Sequence, residues 1–172
     1  RAGFEQVSGD FIIIQDGDLE YDVNDYPSLL KPLVENKSDV VIGSRHLAAG
    51  TYKIRKFDKT PVKAFVYNFA GIFFHGYFNL VFWSKITDPT TMFKVFRSDC
   101  LKRVHLVGDL FDFDLELLGK LILAGFSVVE VPVSYNSRGK DQGKKISFLR
   151  DGFFGMLMMT RCRLEYWFVR SS

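Results

Sequence analysis

A chain of 172 residues can bury one sizeable core and is too short for two ordinary domains. Its 47% apolar and 25% charged residues exclude disordered and collagen-like chains, and a net charge of +3 is too small to argue for nucleic acid as a partner. Cys100 and Cys162 have neither a CxxC partner nor metal-ligand spacing, so a disulfide framework is excluded and both read as reduced thiols of a cytosolic protein.

The chain opens at Arg1 without a methionine and soon enters its first apolar run, which reads as a fragment whose N-terminal part is missing. That run, 11–15, is a short buried strand closed by polar residues. It empties into an acidic turn, Asp16-Gly17-Asp18-Leu19-Glu20. Asn24 or Asp25 then caps a helix with Pro27 in its first turn, running to about Asn36 and kinked or shortened by Pro32. A second buried strand, 39–43, ends in Ser44-Arg45. Strand, helix, strand in this order predicts a parallel α/β sheet with its functional loops at the C-terminal ends of the strands.

Residues 46–63 form a polar loop rich in Lys and Arg, and 64–83 follow without one formal charge. The length of that segment would allow a membrane span. Asn68, His75 and Asn79, with Gly71 near the same line, instead draw a polar stripe along an aromatic helix. This pattern favours a helix at a membrane interface, or a hairpin, over a crossing one; a core helix with satisfied polar groups suits the residues equally. Further on, 92–96 reads as a strand, 113–124 as a helix capped at Gly125, and 128–133 as a strand. A basic, glycine-containing loop, 134–150, leads to a last amphipathic helix over 151–169.

Four features bear chemistry. Asp16, Asp18 and Glu20 alternate directly after a buried strand, and hard divalent cations take such oxygen ligands, often shared with a diphosphate. Arg138, Lys140, Lys144 and Lys145 surround a single acid in the basic loop, where Arg138 suits a bidentate grip on phosphate and the lysines act as point charges. Asp88 and Thr91 belong to a turn feeding a strand, where either can face a site or simply make the turn. Asp112, Asp114 and Glu116 gather at a helix start, where acids favour the helix dipole and a catalytic base would also stand. His46, His75 and His105 share no ligand spacing, so a histidine metal site is not expected. No GxSxG, Walker or Ser/His/Asp pattern occurs.

Taken together these blocks resemble the family 2 glycosyltransferases of the GT-A fold, particularly the dolichol- or polyprenyl-phosphate sugar transferases. The resemblance rests on five ordered stretches: Gly9 to Glu20, Val41-Ile42-Gly43-Ser44-Arg45, Asp88 to Arg97, Phe113 to Leu118, and Glu130-Val131-Pro132-Val133 through Arg138 to Ile146. It implies a Rossmann-like α/β fold with a mixed, mostly parallel sheet flanked by helices and with its N-terminal part missing. Residues 1–150 would be the C-terminal part of the transferase domain, with an acceptor loop at 46–63 and an interface helix at 64–83; residues 151–172 would be a separate amphipathic helix. The resemblance places Mg²⁺ or Mn²⁺ on Asp16, Asp18 and Glu20, and phosphates on Arg45, Arg138 and Lys144 or Lys145, with Asp88 and Thr91 alongside. Met92 and Lys94 depart from relatives that often carry glycine and arginine there.

The function this implies is metal-dependent, inverting transfer of a sugar from a nucleotide diphosphate sugar to a polyprenyl phosphate. It would take place at an anionic membrane surface, on the cytoplasmic face. An acceptor phosphate is already anionic, whereas a hydroxyl acceptor would need a base, with Asp114 or Glu116 as the place to look. Asp18 joins these two in the expected catalytic set. A soluble transferase with a hydroxyl acceptor and a non-catalytic membrane-associated domain of the same fold are the rival readings. Without the family's opening strands, which hold base and ribose, the chain alone is not expected to turn over.

Overall fold

The computed structural model describes residues 2–18, 20–50, 61–108, 112–136 and 148–171; within 61–68, 148–151 and 169–171 it describes the backbone only. Of the loops expected at 46–63 and 134–150, residues 51–60 and 137–147, with Arg138, Lys144 and Lys145, lie outside the described residues, while 46–49, 61–63 and 148–150 are helical.

Four strands form one sheet: β1 (Phe11–Ile14), β2 (Val40–Ser44), β3 (Lys94–Arg97) and β4 (Val128–Pro132), in the spatial order β1-β3-β2-β4. β2 and β4 pair in parallel, Val41 opposite Val129, while β3 runs antiparallel to both β1 and β2, with Ile12 opposite Phe96 and Val41 opposite Val95. Three strands therefore share one direction and β3 alone is reversed. The expected α/β architecture with a mixed sheet is what the structure shows; the wholly parallel arrangement suggested by the first strand-helix-strand unit is not. The reversal matters for position. The N-terminal end of β3 lies at the edge where the other three strands finish, so the turn leading into β3 joins their loops.

Helices α1 (Tyr26–Val34), α2 (Arg45–Ala49), α3 (Pro61–Phe82), α4 (Phe113–Leu123) and α5 (Phe148–Ser171) complete the fold. Alternation along β2 and β3 sends side chains to two cores. Val41 and Val95 meet Leu29 and Leu33 of α1, with Phe93 and Val133. On the other face Ile42 joins Leu115 and Leu118 of α4, Phe78 and Phe82 of α3, and Met159 of α5. Val40 and Phe96 pack with Leu117 and Leu121 on that same side. α3 and α4 approach closely because residue 119 is glycine: a β-carbon there would lie 2.3 Å from the Phe82 ring.

The core-helix reading of the aromatic segment holds in part. α3 buries Phe78 and Phe82 but leaves Phe69, Ile72, Phe73 and Leu80 exposed. Its described polar side chains, His75 and Asn79, are half-buried. Asn79 donates to the Ile86 carbonyl at 2.8 Å and accepts from Ile86 N–H at 2.9 Å, fastening the helix end to the segment that follows. Among the described residues no helix is long and apolar enough to cross a membrane. α1 also differs in detail from expectation: Asp25 precedes it without a side-chain capping bond, its carboxylate accepting instead from Ser134 N–H at 2.6 Å.

Candidate active site

The site collects at the sheet edge where β1, β2 and β4 end and β3 begins. Ser44, the last residue of β2, caps α2 by accepting from Leu47 N–H, and this turns Arg45 toward the segment 87–91. There Arg45 forks onto Asp88. Nε donates to Oδ2 at 2.7 Å and Nη2 to Oδ1 at 2.6 Å, the Arg45 backbone N–H adds a bond to Oδ2 at 3.0 Å, and the Thr90 hydroxyl reaches Oδ1 at 3.3 Å. Asp88 is fully buried. Burial by itself would raise its pKa, but the guanidinium outweighs burial and takes it down to about 2. Arg45 in turn is held above its usual value by Asp88, against the pull of its own burial.

Glu130 of β4 holds the turn from behind. Its carboxylate accepts from Thr87 N–H at 2.8 Å, the Thr87 hydroxyl at 2.8 Å and Asp88 N–H at 3.1 Å. Thr91 is buried, shares a hydrogen bond with the Tyr21 hydroxyl at 3.2 Å, and gives its carbonyl to the Lys94 ammonium. Lys94, fully buried, also donates to Asp114 Oδ2 at 2.7 Å. Burial moves this pair toward neutrality on both sides, lowering the lysine and raising the aspartate. Asp114 Oδ1 is buried and has no hydrogen-bond partner among the described residues.

Glu116 sits one helical turn from the edge with a different task. Its carboxylate accepts from Val107 and Gly108 N–H groups and from Lys120, the last at 2.7 Å, so it fastens the chain before α4. These partners outweigh burial and lower its pKa.

At the end of β1, Asp18 Oδ1 accepts from Glu20 N–H at 3.0 Å, shaping the acidic turn. Glu20 is buried; its backbone carbonyl accepts from Asn136 N–H at 2.8 Å and its carboxylate from the Tyr135 hydroxyl at 2.9 Å. The donor set of this turn is all carboxylate oxygen, which fits a hard divalent cation.

The fold also brings together two histidines that share no spacing. His46, His75 and Asp88 are the only His/Cys/Asp/Glu trio among the described residues whose ligand atoms all lie within 4.8 Å of one another. A cation there would compete with the four donors that already fill Asp88, two of them from one guanidinium. Burial pulls His75 down to about 4, so the imidazole is neutral near pH 7.

The structure therefore gathers Arg45, Asp88, Thr91 and Asp114 at one edge and links Glu20 to them through Tyr21 and Tyr135. Residues to which the sequence assigns no role in the site are Lys94, Glu130, Tyr21, Tyr135 and the His46–His75 pair.

The sequence model of glycosyl transferase family 2 matches residues 1–104, more than half of the chain. The chain belongs to that family. Over 143 residues it is 29% identical to a dolichol-phosphate mannosyltransferase of Pyrococcus furiosus, a match covering 83% of this chain and 38% of that protein. Over 113 residues it is 25% identical to a dodecaprenyl-phosphate galacturonate synthase of Rhizobium johnstonii, covering 66% of this chain and 30% of that protein. The family 2 chain thus spans well under half the length of both relatives, whose names share a polyprenyl-type phosphate and a sugar.

Proposed function

We propose that the protein transfers a sugar from a nucleotide diphosphate sugar to a polyprenyl phosphate, working peripherally at the cytoplasmic face of a membrane. The observation that carries this reading is the joining of an oxygen-rich acidic turn to a fixed guanidinium, Arg45, across the Tyr135–Glu20 bond at one sheet edge. Asp16 and Asp18, with Glu20 behind them, are the residues that would hold Mg²⁺ or Mn²⁺ beside the donor diphosphate. When bound, that ion supplies positive charge against the charge developing on the departing nucleoside diphosphate. Arg45, whose charge Asp88 keeps on at every working pH, adds to this and orients a phosphate; Arg138, Lys144 and Lys145 are proposed for the same anions.

Two further observations support a lipid phosphate over a hydroxyl acceptor. Asp114 is buried against Lys94, a poor place from which to take a proton from an incoming hydroxyl, whereas a phosphate acceptor needs no strong base. Exposed Phe69, Phe73 and Trp83 lie on or next to α3 and exposed Phe153, Phe154 and Trp167 on α5, and these helices pack together, an apolar surface suited to a bilayer interface. Residues 1–150 are proposed as the transferase part and 151–172 as the membrane-facing helix.

The test is transfer by the whole protein with Mn²⁺, comparing a polyprenyl phosphate with its dephosphorylated alcohol. Transfer to the phosphate alone, abolished by EDTA and by Asp18→Ala, is expected. Equal transfer to the alcohol would replace this reading with a hydroxyl acceptor, and metal-dependent donor binding without transfer to either would remove the lipid.

A further inference from the structure

Tyr135 lies just past β4, at the start of the basic loop, and the sequence gives it no role of its own. The structure gives it an unusual set of neighbours. Its backbone is fixed on both sides: Ser134 N–H donates to Asp25, and Asn136 N–H donates to the Glu20 carbonyl. Tyr135 forms an antiparallel bridge with Tyr21, and their rings lie 5.2 Å apart between centroids. The hydroxyl donates to Glu20 Oε2 at 2.9 Å. The Arg45 guanidinium sits over the ring face, 5.1 Å from its centroid. One side chain therefore touches the acid of one charged group with its polar tip and the cation of another with its π face.

We propose that Tyr135 is a positioning residue that sets both charged halves of the site: its hydroxyl orients the Glu20 carboxylate within the acidic turn, and its ring seats Arg45. The inference rests on the reading of that turn as the metal-binding element. The physics of the two contacts differs, which makes them separable. A hydroxyl donating to a carboxylate restricts which way the carboxylate points, and residues that orient a ligand in this way typically affect metal affinity by about 10-fold or more. A ring beneath a guanidinium contributes less, and only through the face of the ring. Phenylalanine at position 135 preserves the second contact while deleting the first; leucine deletes both. Because both contacts come from one side chain whose backbone is tied to Asp25, Tyr21 and Glu20, the turn and Arg45 are set as a unit rather than separately.

The experiment measures Mn²⁺ affinity of the whole protein by the loss of free-ion electron paramagnetic resonance signal, with no sugar donor present. Tyr135→Phe is expected to bind Mn²⁺ about 10-fold more weakly, at an unchanged metal-free melting temperature. In a Glu20→Gln background the same substitution is expected to add nothing further. Tyr135→Leu is expected to weaken binding of inorganic diphosphate by about 3-fold beyond Tyr135→Phe. Wild-type Mn²⁺ affinity in Tyr135→Phe, or a second full loss in the Glu20→Gln background, overturns the proposal. Asp18→Asn distinguishes its failure from that of the reading beneath it. If Asp18→Asn abolishes Mn²⁺ binding while Tyr135→Phe leaves it intact, only the role of Tyr135 falls; if Asp18→Asn binds Mn²⁺ like wild type, the acidic turn is not the metal element and both fall.

Discussion

Two buried ion pairs stand side by side at the sheet edge, Arg45–Asp88 and Lys94–Asp114, with nearly the same closest approach of 2.6 and 2.7 Å. Their electrostatics differ in kind. Asp88 receives a planar fork and two further donors, and its charge survives full burial. Asp114 receives a single ammonium, keeps one oxygen without a partner among the described residues, and is pushed toward its neutral form together with Lys94. Separation alone does not set what a buried pair does. The number of donors and the shape of the cation decide whether burial or attraction wins.

The largest effect that sharpens this contrast is expected from Asp88→Ala. It strips the guanidinium of its fork and leaves a buried cation unpaired, at a cost of about 4 kcal/mol in unfolding free energy measured in urea. The next is Lys94→Met, which isolates Asp114 and is expected to cost about 3 kcal/mol. Adding Asp114→Leu to it should restore stability to within about 1 kcal/mol of wild type, because an incompletely bonded pair contributes little over apolar packing. If the double variant stays as unstable as the single one, Lys94 and Asp114 are no weaker a pair than Arg45–Asp88 and the contrast breaks.

The smallest effect concerns pH. His75 has its pKa lowered by burial from 6.5 to about 4, so the folded state favours the neutral ring. Its contribution is complete above pH 6.5 and is lost as pH falls toward about 4. Asp88, lowered from 3.8 to about 2, loses its contribution in a separate window below pH 3.8. Urea midpoints of His75→Gln should be flat across the upper window and unchanged in the lower. A decline that persists in the upper window would assign it to another group.

Much of the fold is legible in the sequence because its signals are local. Apolar runs closed by polar residues mark β1, β2 and β4, and helical spacing ending at Gly125 marks α4. The start of β3 is read two residues early, at Met92, since Met92 and Phe93 continue the apolar run; the described strand begins at Lys94. A lysine at the head of a strand gives no sign of burial until Asp114, twenty residues away, is placed against it. α2 is hidden inside an expected loop because five residues carry too little periodicity to show a helix. The reversal of β3 is invisible for the same reason that makes it useful: direction depends on pairing partners distant in sequence. The acidic turn and Arg45 stand out as motifs, but Tyr135, Glu130 and the two histidines become part of the site only when the edge is assembled.

Gly43 shows how finely that edge is spaced. A β-carbon there would fall 2.6 and 2.9 Å from the two Val133 methyls and 3.1 Å from the Phe93 β-carbon. Gly43 lies two residues before Arg45, and Val133 two residues before Tyr135. The missing methyl group lets β2 and the exit of β4 draw together, and the stacking of guanidinium on ring is the downstream result. An alanine at 43 would act as a wedge between the two strands, prying cation from aromatic face without touching either residue.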